Sequence, residues 1–239
     1  MALKPDGVFL DVGTNLGQTL LDYVVHKKGR SYIGFEPNLI CANHIRAIIA
    51  GSRLENCTLV PVALSDANGV FGLHAEWGSD PVAAEATIMS ELRPGRQYST
   101  QFVPALRLDD ILQNITGESI SFIKIDVEGA ELLALRGMEK TLRNQEPWVT
   151  CEILRRDSNA SREEHAEWMA DIIGFIASIG YTAYQIIKST DARHFSGLRA
   201  VSAFPDDVWS QATKEENDYL LTPADADPSA DFGMLNVRQ

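Results

Sequence analysis

Cysteine is scarce. The 239 residues hold three, Cys41, Cys57 and Cys151, with no CxxC spacing among them. That excludes a disulfide framework and a thiolate zinc site. The expected role is that of small apolar side chains in a reducing compartment. Long apolar runs are missing as well. None approaches the ~18 residues that a membrane span needs. The opening Met1-Ala-Leu-Lys-Pro-Asp-Gly7 lacks the basic-then-apolar order of a secretion signal. A cytoplasmic protein with no membrane partner is the expectation. Positive charge is in short supply: Lys and Arg number 21 against 33 Asp and Glu, a net charge of −12. A protein held to phosphates needs a basic face, so nucleic acid is not an expected partner. Nor is there a G-x-G-x-x-G after any strand-like run, and this disfavours a pyrophosphate-bearing dinucleotide.

What is present is ordinary globular material, 45% apolar and 23% charged. Short apolar runs alternate with stretches of helical period from residue 8 to about 204. Val8–Val12, Ser31–Phe35, Thr58–Val62, Ser121–Asp126 and Trp148–Ile153 read as strands. Leu16 to His26, a segment carrying Cys41, Ile45, Ile48 and Ile49 on one face, Glu131 to Leu142, and Arg162–Ile179 read as helices. Tyr181–Ile187 and Leu198–Phe204 read as a late pair of strands. Such alternation implies a largely parallel α/β sheet covered on both faces. Two stretches break the rhythm. Residues 74–102 read as a long loop, with Trp77, Tyr98 and Phe102 as anchors or ring-stacking groups. Residues 205–239 carry eight acidic side chains against two basic ones and read as a solvated acidic tail. The expected division is therefore a domain over 1–204 and a tail over 205–239.

The chemistry-bearing residues fall at strand ends, where ligands bind in an open parallel sheet. Asp11-Val-Gly-Thr-Asn-Leu-Gly17 follows the first strand, and Gly13 and Gly17 allow a tight turn into a helix N-terminus. Asn15 sits where backbone would otherwise meet phosphate. Glu36 ends the second strand, 19 residues after Gly17, and Pro37 starts the next helix. An acidic residue there is placed to accept both hydroxyls of a ribose. Leu64, Ser65 and Asp66 follow the third strand, with Asp66 a candidate for an adenine amine and Leu64 for the ring face. Acidic groups at three strand ends suit a cationic ligand without phosphates, and S-adenosyl-L-methionine is such a ligand. The fourth strand runs into Asp126-Val-Glu128-Gly129.

Together the Asp11–Gly17 loop, Glu36-Pro37, Ala63-Leu-Ser-Asp66, Leu108-Asp-Asp110 and Ile123-Lys-Ile-Asp-Val-Glu-Gly-Ala-Glu131 resemble the FkbM-type S-adenosylmethionine-dependent methyltransferases, in order over residues 8 to about 204. The resemblance implies a Rossmann-like class I fold with seven strands in the order 3-2-1-4-5-7-6, strand seven antiparallel, and the late pair as strands six and seven. It also implies methyl transfer to a hydroxyl of a small molecule, a sugar or a glycosylated or polyketide-like product.

A hydroxyl must lose its proton as the new bond forms. Asp126 and Glu128 are the candidate bases, two residues apart and so on one face if the strand persists. Asp126 is also a cofactor contact. Asp126 and Glu152 form the alternative pair for Mg²⁺. The plainer alternative makes Glu128 a helix cap and Glu152 a polar strand end. Lys124 is expected in an ion pair. The five histidines lack ligand spacing. Competing functions are a nucleotide-dependent oxidoreductase on a doubly wound sheet and a non-catalytic cofactor-binding module.

Overall fold

A computed structural model describes residues 7–26, 29–76, 86–89, 94–189, 195–213, 216–228 and 237–238. The parallel centre of the sheet is formed by β1 (Val8–Val12), β2 (Tyr32–Phe35), β3 (Cys57–Val60), β7 (Ile120–Ile125) and β8 (Trp148–Glu152). These runs are apolar on both faces because helices cover both faces. The helices are α1 (Gln18–His26), α2 (Leu39–Gly51), α3 (Leu108–Ile115), α4 (Glu131–Gly137), α5 (Glu139–Gln145) and α6 (Arg162–Ser178). Asn38 caps α2 by accepting from the Ile40 N–H at 2.9 Å, and Ser161 caps α6 through the Glu164 N–H. The main core runs from Leu10 and Val12 through Ile123, Ile125 and Val149 to Leu132, Leu135 and Ile172, all 1% exposed or less.

Several expectations need correction. The sheet has nine strands, not seven, in the order β12-β10-β9-β11-β8-β7-β1-β2-β3. The late strands do pair antiparallel, as β9 (Tyr181–Lys188) and β10 (Phe195–Val201). They are not neighbours of β8, however. That place is taken by β11 (Asp218–Pro223), antiparallel to both β8 and β9. The segment read as a tail therefore supplies a strand from the middle of the sheet, with Tyr219, Leu220 and Leu221 each 1% exposed. β12 (Val237–Arg238) adds a short parallel edge beside β10. The boundary at residue 204 does not separate a domain from a tail.

Three acidic residues ahead of β11, Asp206, Asp207 and Glu216, are ion-paired. Buried Arg155 holds Asp207 and Glu216, the latter at 2.7 Å, and Asp206 accepts from Arg162 at 2.8 Å. The two ends of the stretch 74–102 are likewise more regular than a loop. They belong to β5 (Gly69–Glu76) and β6 (Tyr98–Leu106), which with β4 (Ala63–Leu64) make a second sheet of three strands. Trp77 lies outside the described residues. Phe102 is exposed, and Tyr98 packs edge-on to His74.

The expected helix 131–142 is two helices. They break at Gly137, where a Cβ would come within 2.1 Å of the Ser65 carbonyl oxygen. Asp109 spans the break by accepting from the Lys140 and Thr141 N–H groups, both at 2.9 Å. Among the described residues no helix is long and apolar enough to cross a membrane.

Candidate active site

An open cavity of about 150 Å³ lies across the carboxyl ends of β2, β1, β7 and β8. The loop after β1 forms its floor. Gly13 and Gly17 have φ near +85°, and Asn15 adopts φ 47°, the left-handed region that glycine and asparagine tolerate best. At Gly13 the need is absolute. A Cβ there would stand 1.9 Å from the Asp126 carbonyl oxygen, so the loop can cross the end of β7 only without a side chain. The crossing is fixed by the Asp126 N–H donating to the Val12 carbonyl at 3.0 Å.

This loop also sets Glu36. The Asn15 N–H donates to Glu36 Oε2 and the Asn38 N–H to Oε1, both at 2.8 Å. Two backbone donors on different segments leave the carboxylate one orientation, on the cavity wall. Burial pushes its carboxyl up to about 7, against the opposing effect of those two donors. Pro37, Asn38, Cys41 and Leu64 continue the wall around it.

The opposite wall is acidic. β7 ends at Ile125, and Glu128 (φ 56°) and Gly129 (φ 106°) turn the chain sharply into α4. Asp126 and Glu128 thus line one cavity through a turn, not through strand alternation as expected. The Gly129 N–H donates to Glu131 Oε1 at 2.9 Å, which makes Glu131 the cap of this turn. Burial raises the Glu131 carboxyl to about 7. Glu152, closing β8, also lines the cavity. Burial, then the charges of Asp126 and Glu128, raise its carboxyl to about 8.

Lys124 is in the expected ion pair, with Nζ 3.1 Å from Asp126 Oδ2 and 3.6 Å from Asp11 Oδ1. Burial pulls its ammonium down, but the two carboxylates outweigh burial and hold it above the ordinary lysine value.

Of the residues expected to meet a cofactor, Gly13, Asn15, Glu36, Pro37, Leu64 and Asp126 line this cavity. Asp11, Gly17, Ser65 and Asp66 are not among its lining residues. Side chains alternate along a strand, and Asp11 shares the face of Phe9, away from Val12. There it is fully buried and accepts from the Tyr32 hydroxyl at 2.5 Å. Ser65 is fully buried beside the end of α4, and the Asp66 carbonyl accepts from Arg107 at 2.6 Å. The expected convergence of Asp11, Glu36 and Asp66 is therefore corrected: Glu36 shares its cavity with Asp126, Glu128 and Glu152 instead. Among the described residues no group of three His, Cys, Asp or Glu is arranged to hold a metal. Sequence reasoning passed over Asn38 and Cys41. The Asn38 cap motif directly after Glu36-Pro37 was the available signal.

With this geometry in view, residues 11–182 match the family described as the methyltransferase FkbM domain. The chain belongs to the FkbM methyltransferase family. It is 30% identical over 149 residues to the 2-O-methyltransferase NoeI of Sinorhizobium fredii, covering 58% of this chain and 60% of that protein. The chain thus spans less than two thirds of that relative's length. The crystal structure of a methyltransferase FkbM from Methylobacillus flagellatus superposes with a TM-score of 0.52 at 14% identity, over 91% of this chain and 44% of that one. That similarity supports the α/β methyltransferase fold. The oxidoreductase alternative finds no support in a methyltransferase family.

Proposed function

We propose that this FkbM-family chain binds S-adenosyl-L-methionine and transfers its methyl group to a hydroxyl of a small molecule, a sugar or a glycosylated or polyketide-like product. The observation that carries the donor reading is Glu36. Its carboxylate is buried, oriented by two backbone N–H groups and turned to a cavity. A carboxylate so fixed accepts hydrogen bonds from two adjacent ribose hydroxyls. Leu64 is the apolar surface for the base. The Gly13–Asn15 backbone and Asp126 form the floor for the amino-acid end. The bound donor would supply a methyl group activated on a sulfonium. The chain's task is then to position an acceptor oxygen and take its proton.

Asp126 and Glu128 stand on the wall where that proton would go. Lys124 Nζ stands 3.1 Å from Asp126, and the turn at Glu128-Gly129 brings the second carboxylate to the same wall. The hydroxyl reading draws on the name of the NoeI relative, a 2-O-methyltransferase. Proton removal is assigned to these carboxylates.

Calorimetry with S-adenosylhomocysteine tests the donor assignment. Micromolar binding is expected, and Glu36→Ala should abolish it while the variant keeps a cooperative melting transition. Unchanged binding in that variant would remove Glu36 from the donor site. Transfer of radiolabelled methyl groups into a library of hydroxyl compounds tests the enzyme reading. Tight donor binding with no methylated product would instead favour a non-catalytic module.

A further inference from the structure

The carboxylates around Glu152 are not equivalent. Asp126, just past the end of β7, has its own lysine: Lys124 Nζ lies 3.1 Å away. Asp218, on β11, has another: Lys188 Nζ lies 2.6 Å away. Asp218 is the ladder partner of Glu152, so Glu152 sits between two lysine-neutralised acids. Among the described residues no lysine or arginine forms an ion pair with Glu152 itself. Its neighbour is the Asp126 carboxyl, to which it is hydrogen-bonded. Glu128 faces it from the turn after β7, and Glu131 of α4 lies near Cys151, the residue before it. Lys124 also acts on Glu152 electrostatically, beyond ion-pair distance. Glu152 is thus an acid of this cavity with no cation at ion-pair distance among the described residues.

Glu36 and Glu152 mark opposite ends of one cavity. β2, β1, β7 and β8 are consecutive in the sheet. Three inter-strand spacings separate the ends of β2 and β8, about 14 Å. If adenosine lies at Glu36, as the donor reading holds, the reactive end of the ligand extends toward Glu152.

We propose that Glu152 is the residue by which this cavity tells a positively charged transferring group from its neutral product. It completes an ion pair with the sulfonium, or with an amine standing in the sulfonium's place, and finds no charge at that position in a thioether. The inference rests on the donor reading above and adds a specificity residue to it. It also supplies a direction to the cycle. A spent donor that has lost its charge is held less well than the donor that replaces it.

The test uses the full chain and three ligands: S-adenosylmethionine, its thioether product S-adenosylhomocysteine, and sinefungin, which carries an amine in place of the methylsulfonium. At pH 8.5, where Glu152 is largely ionised, calorimetry should find the two cationic ligands at least tenfold tighter than the thioether. At pH 6.5 the carboxyl is protonated and the ratio should fall below threefold. Near pH 7.5 the cationic ligands should release a proton on binding, seen as a dependence of binding heat on buffer ionisation, and the thioether should not. Glu152→Gln should bring the ratio near one at both pH values and remove the proton release.

A thioether as tight as the sulfonium at pH 8.5 would overturn the inference. So would a tenfold ratio retained in a folded Glu152→Gln variant. Should that variant not fold, the wild-type pH series decides alone. Failure of all three ligands to bind would overturn the donor reading itself, and this inference with it. Good binding without charge preference would overturn this inference and leave the donor reading standing.

Discussion

The two ends of the cavity satisfy their acids in different ways. At the β2 end Glu36 is held by backbone N–H groups of Asn15 and Asn38, donors that have fixed positions and no charge to lose. At the β7–β8 end the acids are held by lysines and by one another. Fixed neutral donors give a carboxylate a direction. Shared protons and mobile ammonium groups give it an adjustable charge. A direction suits the recognition of hydroxyls that never change during a reaction. Adjustable charge suits the end where charge and protons move. The division follows from topology: the β2 end is bounded by two tight turns whose Asn15 and Asn38 N–H groups meet Glu36, while β7, β8 and β11 bring three acidic strand ends side by side.

The seam between these ends is Gly13, and breaking it should have the largest effect. Gly13→Ala forces a Cβ against the Asp126 carbonyl in a backbone region that disfavours side chains. Loss of about 4 kcal/mol or more is expected, at the severe end for single substitutions, measured by urea unfolding. Gly17→Ala is the control. Its φ is +86°, yet its Cβ would meet only side-chain atoms of Ile45, Ile48 and Leu20 at 3.6 Å or beyond. It should cost about 1–2 kcal/mol, the left-handed penalty alone. Equal costs at the two positions would mean that the close approach to β7 is not what Gly13 serves.

The next test removes a lysine from each side of Glu152. Lys124→Met leaves Asp11, fully buried, without its cation and with one oxygen lacking any hydrogen bond. Removing one member of a buried pair costs about 3–5 kcal/mol, and the partial exposure of Asp126 places the expectation near the lower figure. Lys188→Met strips Asp218, whose side chain is 39% exposed. Water can take over there, and a loss within about 1 kcal/mol is expected. Chemical denaturation of both variants at one pH reads the difference. A Lys188 variant as unstable as the Lys124 one would show that the β11 side is as closed as the β1 side.

Much of this architecture was legible in the sequence, for a physical reason. β1, β2, β7 and β8 are apolar runs buried on both faces, and Gly13, Glu36-Pro37 and Asp126-Val-Glu128 mark where they end. What was illegible depended on partners distant in the chain. Asp11 reads as a site residue because it ends a strand beside a glycine loop, but only the pleat decides its face, and the pleat sends it to Tyr32. Ser65 and Asp66 read as the third edge of a nucleoside pocket, yet Gly137 passes close to the Ser65 carbonyl and Arg107 donates to the Asp66 carbonyl, both from far along the chain. β11 was hidden by its surroundings. Tyr219-Leu-Leu221 is a strand-like run, but the acids around it lower the local hydropathy. Three of those acids, Asp206, Asp207 and Glu216, pair with Arg155 and Arg162, which no local window contains. The single 131–142 helix failed at Gly137 because the reason for its break, the Ser65 carbonyl, comes from β4.

The last test concerns pH. Glu36 and Glu131 have carboxyl groups raised to about 7 and Glu152 to about 8, from 4.5. A raised carboxyl means that the folded chain holds its proton more firmly than the unfolded chain does. The stability from each group is complete below pH 4.5 and is lost as the pH climbs through 7 and 8, at up to about 1.4 kcal/mol per pH unit per group. Asp206 is shifted the other way, by its hydrogen bond from Arg162, but its window lies below pH 4 and does not overlap. The urea midpoint should therefore fall steadily from pH 5.5 to 8.5 and level off beyond. Glu131 is the cleanest contributor, because it caps the turn from outside the cavity lining and is 2% exposed. Glu131→Gln keeps an oxygen for the Gly129 N–H and has no proton to lose. It should flatten the slope by one group's share without shifting the pH at which the sulfonium preference appears. If it moves that preference as well, the turn and Glu152 titrate as one unit, and the acidic end of the cavity extends beneath α4.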